Sequence, residues 1–131
     1  MKVRSLLSGA IFGLMLGSAP LFAHHSFRAE FDSEQPIEIT GTVTKIEWTN
    51  PHARFYVDVE GDTGEVVNWD FELASPNSLF RRGWKRDSLK PGDVVTVSAF
   101  RARNSPYVAN TRTVTLSDGQ RVFSTLSSPP E

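Results

Sequence analysis

Three histidines, His24, His25 and His52, hold the metal-ligand chemistry of this 131-residue chain, which has no cysteine. Two of them are adjacent, directly behind Ala23, where a leader peptide would be cut. A chain beginning at His24 carries a free α-amine, its own imidazole and the His25 imidazole within a few bonds. An amine and ring nitrogen chelate Cu(II), and a further imidazole completes a T-shaped nitrogen set that suits copper's tetragonal preference. His52 follows Asn50-Pro51 and is the candidate for that third nitrogen. The intervening segment from His24 to Pro36 has 13 residues and reaches roughly 40 Å when extended. Copper is favoured over zinc, and a metal-free domain stands beside both. The bland alternative is a tolerated polar start at His24-His25 and a structural His52 whose ring bonds a loop carbonyl.

The start of the chain has the three regions of an export signal. Lys2 and Arg4 precede an uncharged apolar run from Leu6 to Leu16, and small residues lead to Ala23. The run is shorter than the roughly 20 apolar residues that span a bilayer. The expectation is a periplasmic or secreted bacterial protein, with residues 1–23 removed and no membrane span afterwards. Removal leaves 108 residues, enough for one domain. Lys2 and Arg4 leave with the signal, so 12 cations face 15 acids for a net charge of −3. That balance argues against a nucleic-acid partner. Without cysteine the fold has no disulfides and stands on its core.

The elements that must position these groups are strands. Residues 24–36 show no clean period and read as an arm lying on the domain, with Phe27 and Phe31 spaced for one helical turn. From Ile37 to Trp48 the apolar residues alternate, then slip in phase near Gly41, which predicts a bulged, bent strand. Ala53, Phe55, Val57 and Val59 form the inner face of a second strand, and Val67, Trp69, Phe71 and Leu73 that of a third. Asp70 and Glu72 then fall on the outer face of the third strand. They are spare metal ligands there or, in the ordinary case, solvated acids. Ser75-Pro76 opens a short helix that Gly83 stops, with Leu79 and Phe80 facing the core. Val94–Phe100 and Ala109–Leu116 are the fourth and fifth strands, and Ser117–Gln120 allows a hairpin into Arg121–Phe123. Three meander strands, a helix and two further strands are the order of an all-β, five-stranded OB-like barrel over residues 37–126, with a split β-sandwich of similar strand count as the alternative, followed by a loose tail over 127–131.

The segments HHSF, TGTVTKIEWTNPHARFYVDV and NWDFELASPNSLFRRGWKRDSLKPGDVVTV together resemble an uncharacterised family of small exported bacterial proteins, a domain of unknown function. The resemblance covers nearly all of the chain after Ala23, with EWTNPHA its most specific run. It implies export and a single β domain. It implies no mechanism and no set of binding residues.

Two other constellations accompany the histidines. Arg81, Arg82, Lys85, Arg86 and Lys90 form a basic run suited to an anionic glycan, a lipid headgroup or a partner protein. The favoured reading is simpler, with Arg81 and Arg82 on a helix C-terminus and the rest solvated. Among the aromatics, Trp48 and Trp69 follow the inward parity, whereas Tyr56 points outward and Tyr107 lies in a loop at the barrel mouth, where exposed rings stack ligands. With Arg54 and Arg103 they make a second candidate site, for a small ligand or an envelope partner protein. A purely structural envelope role is a third reading. Catalysis has little behind it, since Ser26 beside His25 lacks a nucleophile elbow and no phosphate loop is present.

Overall fold

The structure is a computed structural model that describes residues 27–123. A helical turn over residues 27–30 leads into β1 (Phe31–Glu47), which is followed by β2 (Arg54–Glu60) and β3 (Val66–Glu72). The helix α1 (Pro76–Arg81) then precedes β4 (Val94–Ala102), β5 (Val108–Leu116) and β6 (Arg121–Phe123). The sheet order is β3-β2-β1-β4-β5-β6, and a further pairing of β3 with β5 closes the first five strands into a barrel. The closing pair is parallel, Asp70 to Glu72 against Val108 to Asn110, and every other pair is antiparallel. This is the all-β, OB-like barrel expected from the strand order, with β6 added as a hairpin.

Strand β1 serves both halves of the barrel because it is long and bent. It pairs with β4 through its first part and with β2 through its second. Its bulge lies between Val43 and Lys45, where Thr44 has no counterpart opposite Val57 and Tyr56. The phase slip in the sequence is the trace of this extra residue. Gly41 lets the strands close up, since a Cβ there would sit 2.3 Å from the Asp58 carbonyl oxygen. The strand also starts earlier than the alternation suggested, at Phe31, because the segment over residues 31–36 runs beside β4 through an irregular register.

The barrel is filled by Phe55, Val57, Phe71, Leu73, Val95, Val97 and Val114, with Leu79, Trp84 and Leu89 plugging one end. The parity assigned to β2 and β3 therefore holds. α1 begins with the Ser75 hydroxyl accepting the Ser78 N–H, and Pro76 occupies its first turn. It ends in a Schellman arrangement: Trp84 N–H donates to Leu79 O, Gly83 N–H donates to Phe80 O, and Gly83 has a φ of +96°. Leu79 is fully buried, as expected, but Phe80 is not a core residue. It is 38% exposed and stacks outside on Trp48 at 5.2 Å. A six-residue helix lying on a curved barrel can bury only one of two adjacent side chains.

A second apolar cluster lies outside the barrel. Phe27 packs on Phe31 at 5.4 Å and on Phe100 at 6.2 Å, and the Arg112 guanidinium covers the Phe100 ring at 4.9 Å. Phe31 and Phe100 are buried. The two arm phenylalanines thus staple the arm to β4.

Candidate functional site

His52 sits in the connection between β1 and β2, pinned by short-range bonds. The Thr49 hydroxyl donates to His52 O at 3.1 Å, Ala53 N–H donates to Ala74 O, and Leu73 N–H donates to Ala53 O. The loop is thereby clamped along the stretch that follows β3. The His52 Nδ1 lies 3.0 Å from the Leu73 carbonyl oxygen and 3.7 Å from Glu72 Oε1. A carbonyl only accepts, so Nδ1 carries a proton, and in the uncharged form of the ring the lone pair is on Nε2. The same device orients metal-bound histidines generally: one nitrogen donates to the protein and the other is aimed outward. The His52 side chain is 42% exposed, so the ring is open to solvent.

Beside it lies an ionic cluster on the outer surface of β2, β3 and β5. Arg54 and Glu72 are cross-strand partners, as are Tyr56 and Asp70. Arg54 Nη1 donates to both Asp70 carboxylate oxygens at 2.8 Å, and its Nη2 donates to Glu72 Oε2 at 2.8 Å. Asn110 Nδ2 reaches Glu72 Oε1 at 3.4 Å from β5. Glu72 is only 7% exposed, which corrects the expectation of a solvated acid. Its strand parity was right, but the parallel pairing with β5 sets Asn110 against it and covers that part of the outer face. Burial pushes the Glu72 carboxyl above its ordinary range, against the pull of His52 and Arg54 and with a push from Glu30. Burial disfavours the Arg54 charge as well, but the Asp70 hydrogen bond and both carboxylates outweigh it and hold the guanidinium more firmly protonated.

The other sequence-derived residues are distributed differently. Tyr56 faces outward, but its hydroxyl donates to Glu47 Oε2 at 3.0 Å and the Lys45 ammonium lies 5.5 Å from its ring centre. Burial, then the Glu47 contact, raise the Tyr56 phenol above its usual range. Arg103 ties down the arm, donating to Arg28 O at 2.9 Å and to Asp32 Oδ1 and Oδ2 at 3.3 Å. Tyr107 is 46% exposed and meets Trp69 edge-on at 5.6 Å, while Arg101 lies 5.4 Å from the Trp69 ring centre and donates to Pro106 O. A cleft of about 600 Å³ opens beside this loop, lined by Asp32, Arg101, Arg103 and Pro106 among others. Arg54, Tyr56 and Arg103 are thus each bonded within the protein, although Arg103 is exposed, and Tyr107 is exposed with ring contacts to Trp69.

The structure brings His52 to Glu72, which the sequence presented as a spare ligand or an ordinary outward acid, and sets Asn110, which no pattern singled out, against Glu72. His24, His25 and the expected cleavage point after Ala23 lie outside the described residues. Among the described residues no three His, Asp or Glu side chains converge as a metal site, so His52 and Glu72 are at most part of one.

By fold and surface chemistry the protein is a small closed β-barrel of mixed strand pairing, bearing an ionic cluster on its outer face. The model of a family of unknown function (DUF6152) matches residues 13–110, and the chain belongs to that family. No curated protein matches it. Among the described residues no helix is long and apolar enough to cross a membrane.

Proposed function

We propose that the chain is an exported binding or accessory domain that holds a transition metal, copper before zinc. The ligands are the amine and ring of His24, freed by cleavage after Ala23, with His25 and His52. The observation that carries this reading is the His52 ring, whose Nδ1 is committed to Leu73 O on a side chain 42% exposed, so that Nε2 is the nitrogen available as a ligand. A second observation supports it. The arm is fastened to the barrel, Glu30 O accepting from Arg103 N–H at 2.9 Å, and the Glu30 charge adds to the push on the Glu72 carboxyl. His25 precedes Phe27 by two residues, a span of at most about 7 Å. The arm phenylalanines would then deliver the histidine pair to the barrel surface, and the bound metal would act as a Lewis acid or redox centre.

The test is Cu(II) titration of correctly processed protein, followed by electron paramagnetic resonance. It includes His52→Ala and a form with one residue added ahead of His24. The expected result is a nitrogen-rich copper spectrum, with affinity falling at least tenfold in each variant. Equal affinity in all three forms would remove the shared site, and a mature start other than His24 would remove the amine chelate.

A second reading rests on Tyr107, an exposed ring supported by Trp69 and Arg101 next to the 600 Å³ cleft. In that reading the domain takes a small ligand or an envelope protein at the loop between β4 and β5, and Tyr107→Ala abolishes capture without changing copper binding.

A further inference from the structure

The end of the barrel carrying α1 joins two features that the sequence kept apart. The first is charge. Residues 81–90 hold Arg81, Arg82, Lys85, Arg86 and Lys90 against the single acid Asp87, a local net charge of +4 on a chain whose total is −1. All five cations are exposed residues. The second is an aromatic face. Phe80, 38% exposed, stacks on Trp48 at 5.2 Å, and Trp48 meets the buried Trp84 edge-on at 6.2 Å. The Arg86 guanidinium lies 5.9 Å from the Phe80 ring centre, so the basic run and the aromatic face form one patch.

We infer that this patch docks the domain on an anionic bilayer surface. Helix geometry and exposure account for the cations and place position 80 outside the core, where a polar side chain is the ordinary occupant, but they do not account for the large aromatic ring that stands there among the cations. Rings with an apolar body set among long basic side chains match the headgroup region, where aromatics sit at the interface and Lys and Arg meet lipid phosphates. Arg82 and Lys90 line a 570 Å³ cleft beside Trp84, but Asp87, Asp93 and Asp118 line it too, which disfavours a small anion there. The aromatic part of the patch lies outside that cleft and outside the 600 Å³ cleft beside Pro106, since neither includes Trp48, Phe80 or Arg86 in its lining. A bilayer requires no fitted cavity, only charge and a shallow apolar tip. This inference is independent of the metal reading, since it uses none of the proposed ligands and none of the residues bonded to His52.

Vesicle co-sedimentation of the processed protein, without residues 1–23, tests it, using phosphatidylcholine alone or mixed with phosphatidylglycerol, at low and high salt. The expected result is binding to the anionic vesicles only, released by salt. Lys85→Ala/Arg86→Ala should weaken partitioning about 25-fold, at about fivefold per cation near the surface. Phe80→Ala should weaken it severalfold, and Lys45→Ala, on the outer face of β1, should leave it unchanged. Tryptophan fluorescence adds a second readout, a blue shift on binding that Trp48→Phe removes, and thermal unfolding verifies that each variant is folded. Equal binding to neutral vesicles, no binding to either, or indifference to the Lys85/Arg86 pair would overturn the inference. So would retention on an anionic polysaccharide without vesicle binding, which would assign the patch to a glycan.

Discussion

Removing the Arg54 guanidinium is the sharpest probe of the outer-face cluster. Arg54→Ala leaves Asp70 and Glu72 side by side on β3's outer face without the cation that bridges them. Glu72 cannot recover the loss from water, because its side chain is 9% exposed, whereas Asp70 at 27% can in part. Hydrogen bonds to charged groups contribute about 1.5–3 kcal/mol each, and breaking a buried pair costs about 3–5 kcal/mol. The partial exposure of Asp70 brings the expected cost to about 2–4 kcal/mol, a fall in Tm of 10 °C or more for a domain of this size. Glu72→Gln in the Arg54→Ala background removes the stranded charge and should return about 1–2 kcal/mol, a non-additivity typical of groups in one network. The pH dependence has a definite sign. A carboxyl raised in the folded state contributes stability below its unfolded pKa, and that contribution is lost as pH rises through the folded value. Without Arg54 the Glu72 carboxyl rises further, so the penalty of Arg54→Ala is largest near neutral pH and shrinks as Glu72 protonates in acid. Urea unfolding of metal-free protein, followed by tryptophan fluorescence across that range, measures all three quantities. A cost below about 0.5 kcal/mol, strict additivity with Glu72→Gln, or a penalty independent of pH would refute the argument, since surface pairs give such values.

Three further outcomes follow from the packing. Phe31→Ala removes a buried ring from the arm cluster, should cost about 3–5 kcal/mol, and should loosen copper binding through the arm, as read by urea unfolding and copper titration. Gly41→Ala places a Cβ 2.3 Å from the Asp58 carbonyl and should cost about 1–3 kcal/mol, with faster amide exchange across the β1–β2 ladder. Tyr56 should titrate above free tyrosine in ultraviolet absorbance; its contribution to stability is full below the unfolded pKa and lost as pH rises through the folded one, so Tyr56→Phe should flatten the alkaline limb of stability.

Much of the barrel was legible in one dimension because strands report their buried face at every second residue. Ala53, Phe55 and Val57 and the set Trp69, Phe71 and Leu73 followed that rule, and the phase slip after Val43 marked the bulge. The serine cap, Pro76 and Gly83 marked both ends of α1, since caps depend on local backbone geometry. Glu72 escaped such reading for a definite reason. Alternation assigns a side chain to the inside or outside of its own strand or helix, but says nothing about what another element lays over the outside. The pairing of β3 with β5 is parallel and joins residues about 40 positions apart, so the burial of Glu72 under Asn110 is decided only when the barrel closes. Phe100 is the same case on β4, an outward residue buried by the arm.

The chain's own pattern of residues therefore determined the strands, the capped helix, the bulge and the candidate ligand types, because each depends on neighbours within a few positions. Only the tertiary structure decided which nitrogen of His52 is left available as a ligand, that Glu72 is a buried partner rather than a solvated acid, and that Phe80 joins the basic run in one exposed patch. Those properties belong to contacts between elements distant in sequence, and they arise only when closure of the barrel removes water from one face and leaves it on another.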